Sequence, residues 1–242
     1  MRLWRALVVA AVVLATAVSA APARAGTAFV VLQMNLCDSG VPPASCYTFG
    51  RSVDEAAGKI HRYPPELVTL QEVCHNDVTR LSRTMAAAAF FPAWNRDTHD
   101  RYRCTNGELY GIALLHHGNG RAVYHGWYAN QDASEEVRAW LCATVVNGQL
   151  TACTTHLSTH PDVAVRQCHE LMSILASRWV LPEVVVAGDF NLTTDCAPPG
   201  YDRRTDGSLQ QVYFTRNVHS ATGWHERMRW TDHPLLVERL RI

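Results

Sequence analysis

The alternation of apolar and polar residues divides most of the chain into β-strands. Ala28–Leu36 alternates and is rich in Val and Leu, which predicts a first strand. Val184–Ala187 is continuously apolar, a pattern typical of a strand that is buried on both faces. It ends at Gly188, with Asp189 and Asn191 just beyond it. Comparable patterns predict further strands at Leu67–Glu72, Tyr110–His116, Arg121–Tyr128, Leu209–Thr215 and Leu235–Leu240.

About three helices are predicted between these strands. Ser52–Glu55 forms a capping box, so a helix should begin there and end before Pro64. Asn76 is an N-cap candidate for a second helix running to about Ala89. Pro161 suits the first turn of a third helix, which should reach about Val180. Strands dominate, and we expect one α/β (α+β) layered sandwich over residues 26–242.

A hairpin signal predicts one disulfide. Asn147-Gly148 favours a type I′ turn, and a two-residue loop there places Val146 opposite Gln149. Counting back brings Cys142 opposite Cys153, as a hydrogen-bonded pair with Cα atoms roughly 5.5 Å apart, which a disulfide can bridge. Proximity alone suggests a Cys37–Cys46 pair. The pairing of the other four cysteines stays open.

The N-terminal residues are typical of a secretory signal peptide covering residues 1–25. Arg2 and Arg5 precede the apolar run Ala6–Val18, and Ala23-Arg24-Ala25 offers a cleavage site before Gly26. Val18-Ser19-Ala20 is a competing site. Eight cysteines without C-x-x-C spacing agree with export and disulfide formation. We therefore expect a secreted, extracellular protein.

Charge excludes bulk attraction to nucleic acid or to an anionic membrane. The full chain has 22 basic and 22 acidic residues, so the loss of three arginines with the signal peptide leaves an acidic excess of three. A polyanionic substrate must then be held by local arginines and by metal. Arg96, Arg101 and Arg103 lie in a polar stretch that could grip a nucleic-acid backbone or form a solvated loop.

Several predicted strands end on residues that bind metals or move protons. Each residue alone has an ordinary explanation, such as a turn or a solvated strand end. As a set, hard oxygen ligands suit Mg²⁺ or Ca²⁺, an aspartate can activate water, and histidines can stabilise a phosphate. This chemistry matches hydrolysis of a phosphate ester. The residues are Asn35, Glu72, His156, Asp189 and Asn191, with Asp232 and His233 before the last strand.

Six motifs in order resemble those of the endonuclease/exonuclease/phosphatase superfamily, the deoxyribonuclease I-like fold. They cover almost the whole chain after the signal peptide. The resemblance implies a four-layer sandwich, in which two packed, mostly antiparallel sheets are flanked by helices. The motifs are Val31–Asn35, Pro65–Glu72, Tyr110–Leu115, Thr155–Leu157, Gly188–Asn191 and Thr231–His233.

The resemblance also implies a role for each site residue. Glu72, Asn35 and Asp232 would hold a divalent cation, Mg²⁺ with Ca²⁺ or Mn²⁺ as alternatives. Asp189 would position the attacking water, and Asn191 would hydrogen-bond the phosphate oxygens. His156 and His233 would flank the phosphate as acid and charge stabiliser. Tyr110 would contact the phosphate.

One position departs from the family pattern. The family has an aspartate in the strand before the last, paired with the final histidine, and in the matching stretch Leu209–Phe214 its place is taken by Gln211. A neutral amide can orient His233 but cannot stabilise its protonated form. Either another acid, such as Asp206, supplies the charge, or catalysis is slower.

These observations predict a secreted metal-dependent phosphodiesterase, and the first hypothesis is that it is a nuclease. The second hypothesis is a phospholipase C of the sphingomyelinase type, for which Trp127-Tyr128 and Phe90-Phe91 are candidate membrane contacts. The third is a binding module of the same fold with weakened catalysis, favoured only by Gln211. We expect a monomer without a stable protein partner.

Overall fold

The computed structural model describes residues 28–40, 47–118, 123–178 and 181–242. The predicted signal peptide lies outside these residues, as does Cys46 of the predicted Cys37–Cys46 pair. Within them, the long strands form two six-stranded sheets. In spatial order the first sheet comprises β14 (His219–Glu226), β15 (Leu235–Arg241), β1 (Ala28–Asn35), β2 (Leu67–Cys74), β6 (Tyr110–His116) and β3 (Ala87–Pro92).

The second sheet has the same size and carries most of the predicted site residues. Its spatial order is β12 (Tyr201–Thr205), β13 (Gln210–Thr215), β11 (Glu183–Asp189), β10 (Leu150–His156), β9 (Ala139–Val145) and β7 (Val123–Trp127). A small third sheet contains β5 (Asp100–Arg101), β4 (Trp94–Asn95) and β8 (Glu136–Val137).

Among the described residues, the pairs β1–β2 and β10–β11 are parallel and the other strand pairs are antiparallel. The helices are α1 (Arg51–Arg62), α2 (His75–Leu81) and α3 (Pro161–Arg178), with 3₁₀ turns at Ser82–Thr84 and Val146–Gly148. Within the same residues, no helix is long and apolar enough to cross a membrane.

The period-two alternation of the strands builds the four layers. In β1, Phe29 and Val31 pack between the two sheets, while Leu32 and Met34 pack against α1 and α2. In β11, Val185 and Ala187 lie in the core between the two sheets, whereas Val184 and Val186 pack against α3. The predicted sandwich of two mostly antiparallel sheets flanked by helices is therefore confirmed.

Three predicted helix details are wrong, and one of them is the N-cap of the second helix, which is Cys74 instead of Asn76. The first helix begins at Arg51 after a left-handed Gly50, and Ser52 lies inside it with its N–H donated to Thr48 Oγ1, so no capping box forms. The second helix ends at Leu81 instead of Ala89. Residues Ala87–Ala89 pair with β6 as an edge strand, because sheet pairing outweighs intrinsic helix propensity, even though alanine is the best helix former.

The Cys142–Cys153 disulfide is present and the predicted register is confirmed. The loop, however, is a 3₁₀ turn at Val146–Gly148 instead of a type I′ turn. The cysteine Cα atoms are 4.0 Å apart, closer to a non-hydrogen-bonded pair than to the expected type. Two disulfides that were left open pair Cys74 with Cys104 and Cys168 with Cys196.

Candidate active site

A row of polar residues crosses the second sheet at the end where β10 and β11 finish and β13 begins. His156 pairs with Asp189 in β11, and Asp189 pairs with Gln210 in β13. Directly opposite residues in adjacent strands point to the same face. Ala152 and Val185, an even number of positions earlier, belong to the core between the sheets. The polar row therefore faces the first sheet.

Glu72 reaches this row from the first sheet through an irregular strand. The pairing of β2 with β6 is interrupted between Leu70 and Val73, and Glu72 has a left-handed φ of 53°. A left-handed backbone is uncommon for glutamate, and such conformations cluster at functional sites. The bulge directs the carboxylate so that Glu72 Oε1 lies 3.8 Å from His156 Nε2.

Asn35 joins the two sheets through its amide. Asn35 Nδ2 donates to Glu72 Oε1 at 2.8 Å and to Asp189 Oδ2 at 3.0 Å. The amide oxygen accepts the N–H of Cys37 at 3.0 Å. Asn35 thus holds two carboxylates close together, and its role as a metal ligand stays a prediction.

His233 completes the group from the loop before β15. His233 Nδ1 lies 3.4 Å from Asp189 Oδ2 and 3.2 Å from the Gln210 amide nitrogen, which also donates to Asp189 at 2.8 Å. Thr231 Oγ1 donates to the Asn35 carbonyl at 2.9 Å and ties this loop to β1. The structure therefore brings Asn35, Glu72, His156, Asp189 and His233 into one site.

The residue that replaces the family aspartate is Gln210, so the assignment to Gln211 is wrong. Gln211 points to the α3 side, where Tyr213 and Arg203 donate to its amide oxygen. A shift of one residue moves a side chain to the opposite face of a strand. Asp206 does not supply the missing charge either, because its carboxylate caps the turn before β13. Two acids lie 3.4 Å from the His233 ring, Asp189 at Nδ1 and Asp232 at Nε2.

Two further predicted residues lie at the margin of the site. The side chain of Asp232 is 64% exposed, and its Oδ1 lies 3.4 Å from His233 Nε2. Asn191 has a φ of 48°, donates its amide to the Leu157 carbonyl at 2.8 Å, and donates its N–H to Asp189 Oδ1. Their predicted roles are compatible with these positions and stay predictions.

A buried ion pair behind His156 was missed from the sequence. Arg138 Nη1 lies 2.8 Å from His156 Nδ1 and 3.2 Å from Glu136 Oε1. Glu136 also accepts the hydroxyl of Tyr110 at 3.3 Å, and this buried tyrosine keeps its phosphate-contact role as a prediction. The sequence did contain a signal for this contact. The register set by Cys142–Cys153 pairs His156 with Ala139, the residue next to Arg138.

The arginine fixes the tautomer of His156. An arginine can only donate, so Nδ1 of His156 accepts its hydrogen bond and the ring proton is on Nε2, the nitrogen nearer Glu72. Burial, together with the charge of Arg138, lowers the pKa of His156 well below its ordinary value. With Nδ1 accepting from Arg138, His156 presents Nε2–H to the site, and its predicted role beside the phosphate stays a prediction.

The electrostatics of Glu72 favour a cation at this site. Burial raises the pKa of Glu72 to about 7, and the nearby Glu136 adds to the shift although Asn35 opposes it. Glu72, Asp189 and Asp232 supply hard oxygen donors of the kind that Mg²⁺ and Ca²⁺ prefer. The residues present therefore fit a divalent ion, with Glu72 as the principal candidate ligand.

A second acidic group lies behind this site. Among the described residues, Asp38, Cys74 and Asp77 bring ligand atoms within 4.8 Å of one another. Cys74 is bonded to Cys104 and offers no thiolate. Burial and the neighbouring Asp77 raise the pKa of Asp38 to about 7. Burial also raises the pKa of Asp77, so the two neighbouring carboxyl groups resist being ionised together.

Two packed sheets with carboxylates, amides and imidazoles gathered at their common edge define a class of phosphoesterase folds. The chain belongs to the Endonuclease/Exonuclease/phosphatase family, whose model matches residues 49–237. Members of this family are typically metal-dependent hydrolases of phosphoric esters. The resemblance inferred from the sequence motifs is thereby confirmed.

Solved structures agree with this assignment. An endonuclease/exonuclease/phosphatase from Beutenbergia cavernae superposes with a TM-score of 0.67 at 18% identity, covering 89% of this chain and 72% of that one. TDP2 of D. rerio, complexed with a single-strand DNA product, gives 0.65 at 14% identity, covering 89% and 100%. The human Nocturnin catalytic domain with bound sulfate gives 0.66 at 17%, covering 88% and 93%. No curated protein matches the chain by sequence.

Proposed function

We propose that this protein is a divalent-metal-dependent phosphodiesterase that hydrolyses nucleic-acid phosphodiester bonds. The observation that carries the proposal is the hydrogen-bonded chain from Glu72 through Asn35 to Asp189, with His156 and His233 on either side. Five chemically competent side chains from distant segments meet at one edge. Export of the protein, favoured by the N-terminal pattern and the disulfides, belongs to the same proposal.

The protein groups divide the reaction between them. Asp189 accepts hydrogen bonds from Asn35 and Gln210, which orient its carboxylate toward an attacking water. His156 presents Nε2–H to a phosphate oxygen as charge develops. His233, beside Asp189, is placed to bind a second phosphate oxygen. A bound cation at Glu72 would supply Lewis-acid stabilisation of the phosphate charge.

Nucleic acid is favoured over lipid by two observations. The D. rerio TDP2 neighbour holds a single-strand DNA product in the same fold. Two of the candidate membrane contacts, Tyr128 and Phe91, are buried, and the exposed aromatic residues Tyr124 and Trp127 point to opposite faces of β7 because they are three positions apart. Within the described residues, these aromatic side chains therefore give the sphingomyelinase hypothesis little support.

A substrate panel tests the proposal. The purified protein is incubated with single-stranded DNA, duplex DNA, RNA, sphingomyelin vesicles and an inositol phosphate, each with Mg²⁺, Ca²⁺, Mn²⁺ or a chelator. We expect cleavage of a nucleic acid that requires a cation. Cleavage of sphingomyelin alone would assign the lipid reaction, and the absence of turnover on every phosphate ester would favour the binding module.

A further inference from the structure

An aromatic platform lies beside the site, formed by Trp94, Arg101 and Trp127. The Arg101 guanidinium carbon is 5.6 Å from the ring centroid of each tryptophan, and the two centroids are 5.9 Å apart. Trp127 is 43% exposed, although its inner edge packs on Phe91. Trp127 is held in place by its neighbours and is partly exposed, so it offers a preformed surface on which a planar group can stack.

The register of the second sheet connects this platform to the catalytic row. Trp127 pairs with Ala139 in β9, and Ala139 pairs with His156 in β10. The three residues therefore point to the same face, with one strand between Trp127 and His156. Two strand spacings place their backbones about 10 Å apart. A group bound at His156 can thus extend onto Trp127 without leaving the edge of the sheet.

The arginines of the neighbouring loop differ in what they contact. Arg96 Nη1 donates to the Asp132 carbonyl and Arg103 Nη1 to the Gly107 carbonyl, so both are used to hold the loop. Arg101 instead lies against two indole rings, and its Nη1 is buried without a hydrogen-bond partner in the described part of the chain. Of the three arginines predicted to grip nucleic acid, Arg101 is the one in the platform.

We propose that Trp127, supported by Trp94 and Arg101, is a subsite that stacks an unpaired base of the strand whose phosphodiester lies at His156. The inference rests on the proposed function and narrows it to single-stranded or unwound nucleic acid. Aromatic rings beside a cation are what sequence-tolerant binders of single strands use, because every base offers a π face. The pairing of β7, β9 and β10 places the rings within reach of the nucleotide next to the phosphodiester at His156.

The test compares the affinity for bases with the affinity for the sugar-phosphate chain alone. In an Asp189→Asn background, which removes turnover, fluorescence anisotropy gives the Kd of a labelled ten-residue oligothymidine and of its abasic tetrahydrofuran analogue. The two probes carry the same charge. We expect the thymidine probe to bind about 10-fold more tightly. Equal affinities would overturn the subsite.

Variants locate the effect at the platform. Trp127→Ala should reduce the ratio of the two affinities to near one, Trp127→Phe should keep part of it, and Arg101→Gln should lower it. Tyr124→Ala is the matched control, because Tyr124 is 45% exposed on the opposite face of the same strand, and it should leave the ratio unchanged. Circular dichroism melts identify any variant that fails to fold.

Other outcomes contradict the proposal. A ratio unchanged by Trp127→Ala in a folded protein would place base recognition elsewhere. Binding to sphingomyelin–phosphatidylcholine vesicles that is lost in Trp127→Ala would make the platform a membrane contact. Failure of the subsite is separable from failure of the proposed function, because cleavage of the abasic probe by the unsubstituted protein tests hydrolysis without any base.

Discussion

Arg138 donates a hydrogen bond across 2.8 Å to Nδ1 of His156, so that the histidine faces the site with Nε2–H. Loss of this donor should impair catalysis. We predict that Arg138→Met lowers kcat/KM at least 100-fold, because the ring is then free to take the wrong tautomer. Arg138→Lys, which keeps a donor and a charge, should lose less. ¹⁵N NMR of the His156 ring checks the tautomer directly.

A second pair of variants separates positioning by Arg138 from its effect on stability. Arg138→Met alone leaves Glu136 buried and unpaired, which should cost about 3–5 kcal/mol in the free energy of unfolding. Combining it with Glu136→Gln should restore much of the stability while activity stays low. Recovery of full activity in the double variant would show that Arg138 only stabilises the fold.

Glu72 is predicted to be both necessary for activity and unfavourable for stability in the absence of metal. Its buried carboxylate shares the site with Asp189 and Glu136. Glu72→Gln should abolish phosphodiester hydrolysis but raise Tm in chelator at pH 8. Added Mg²⁺ should raise the Tm of the unsubstituted protein and not that of the variant. An equal Mg²⁺ response in both proteins would place the metal elsewhere.

Asp38 gives a pH dependence of stability with a definite sign. Its folded pKa of about 7 exceeds its ordinary value of 3.8, because burial and Asp77 disfavour the charged form. The folded state therefore binds more protons, and this group's contribution to stability falls as pH rises from about 4 to 7. Asp38→Asn should flatten that part of the Tm profile and raise stability at pH 7.5 by about 2 kcal/mol. An unchanged profile would contradict the raised pKa of Asp38.

Gly188 is predicted to be required for the spacing between His156 and Asp189. A Cβ at this position would lie 2.4 Å from the Thr155 carbonyl oxygen, so β10 and β11 would have to separate. Gly188→Ala should cost about 1–3 kcal/mol of stability and about 100-fold in kcat. Gly58→Ala is the control, because nothing lies within 4 Å of that Cβ, and it should leave activity unchanged.

Much of the architecture could be predicted because the local signals agreed with the long-range pairing. Val184–Ala187 is apolar on both faces and lies in a sheet covered on both sides, and the Cys142–Cys153 hairpin fixed a register without any tertiary information. Strand β12 and strand β14 were missed because both are exposed and rich in polar residues. Edge strands of this kind lack the alternation that identifies a half-buried strand.

The site was predicted as a set of residues but not in its internal contacts. Motif order identified Glu72, His156 and Asp189, whereas the hydrogen bonds depend on side-chain direction. The bulge at Glu72 and the choice of Gln210 over Gln211 each depend on a shift of one residue, which a single sequence does not determine. The platform was missed because Arg101 and Trp127 are distant along the chain.

We expect Asp189, held by Asn35 and Gln210, to activate the water that attacks the phosphodiester. The most direct measurement is kcat for Mg²⁺-dependent cleavage of a single-stranded oligonucleotide by the unsubstituted protein and by Asp189→Asn. The two side chains have nearly the same shape, so only the ability to accept a proton changes. We predict a loss of at least about 100-fold with the melting temperature nearly unchanged. Equal rates in the two proteins would show that Asp189 does not activate the water.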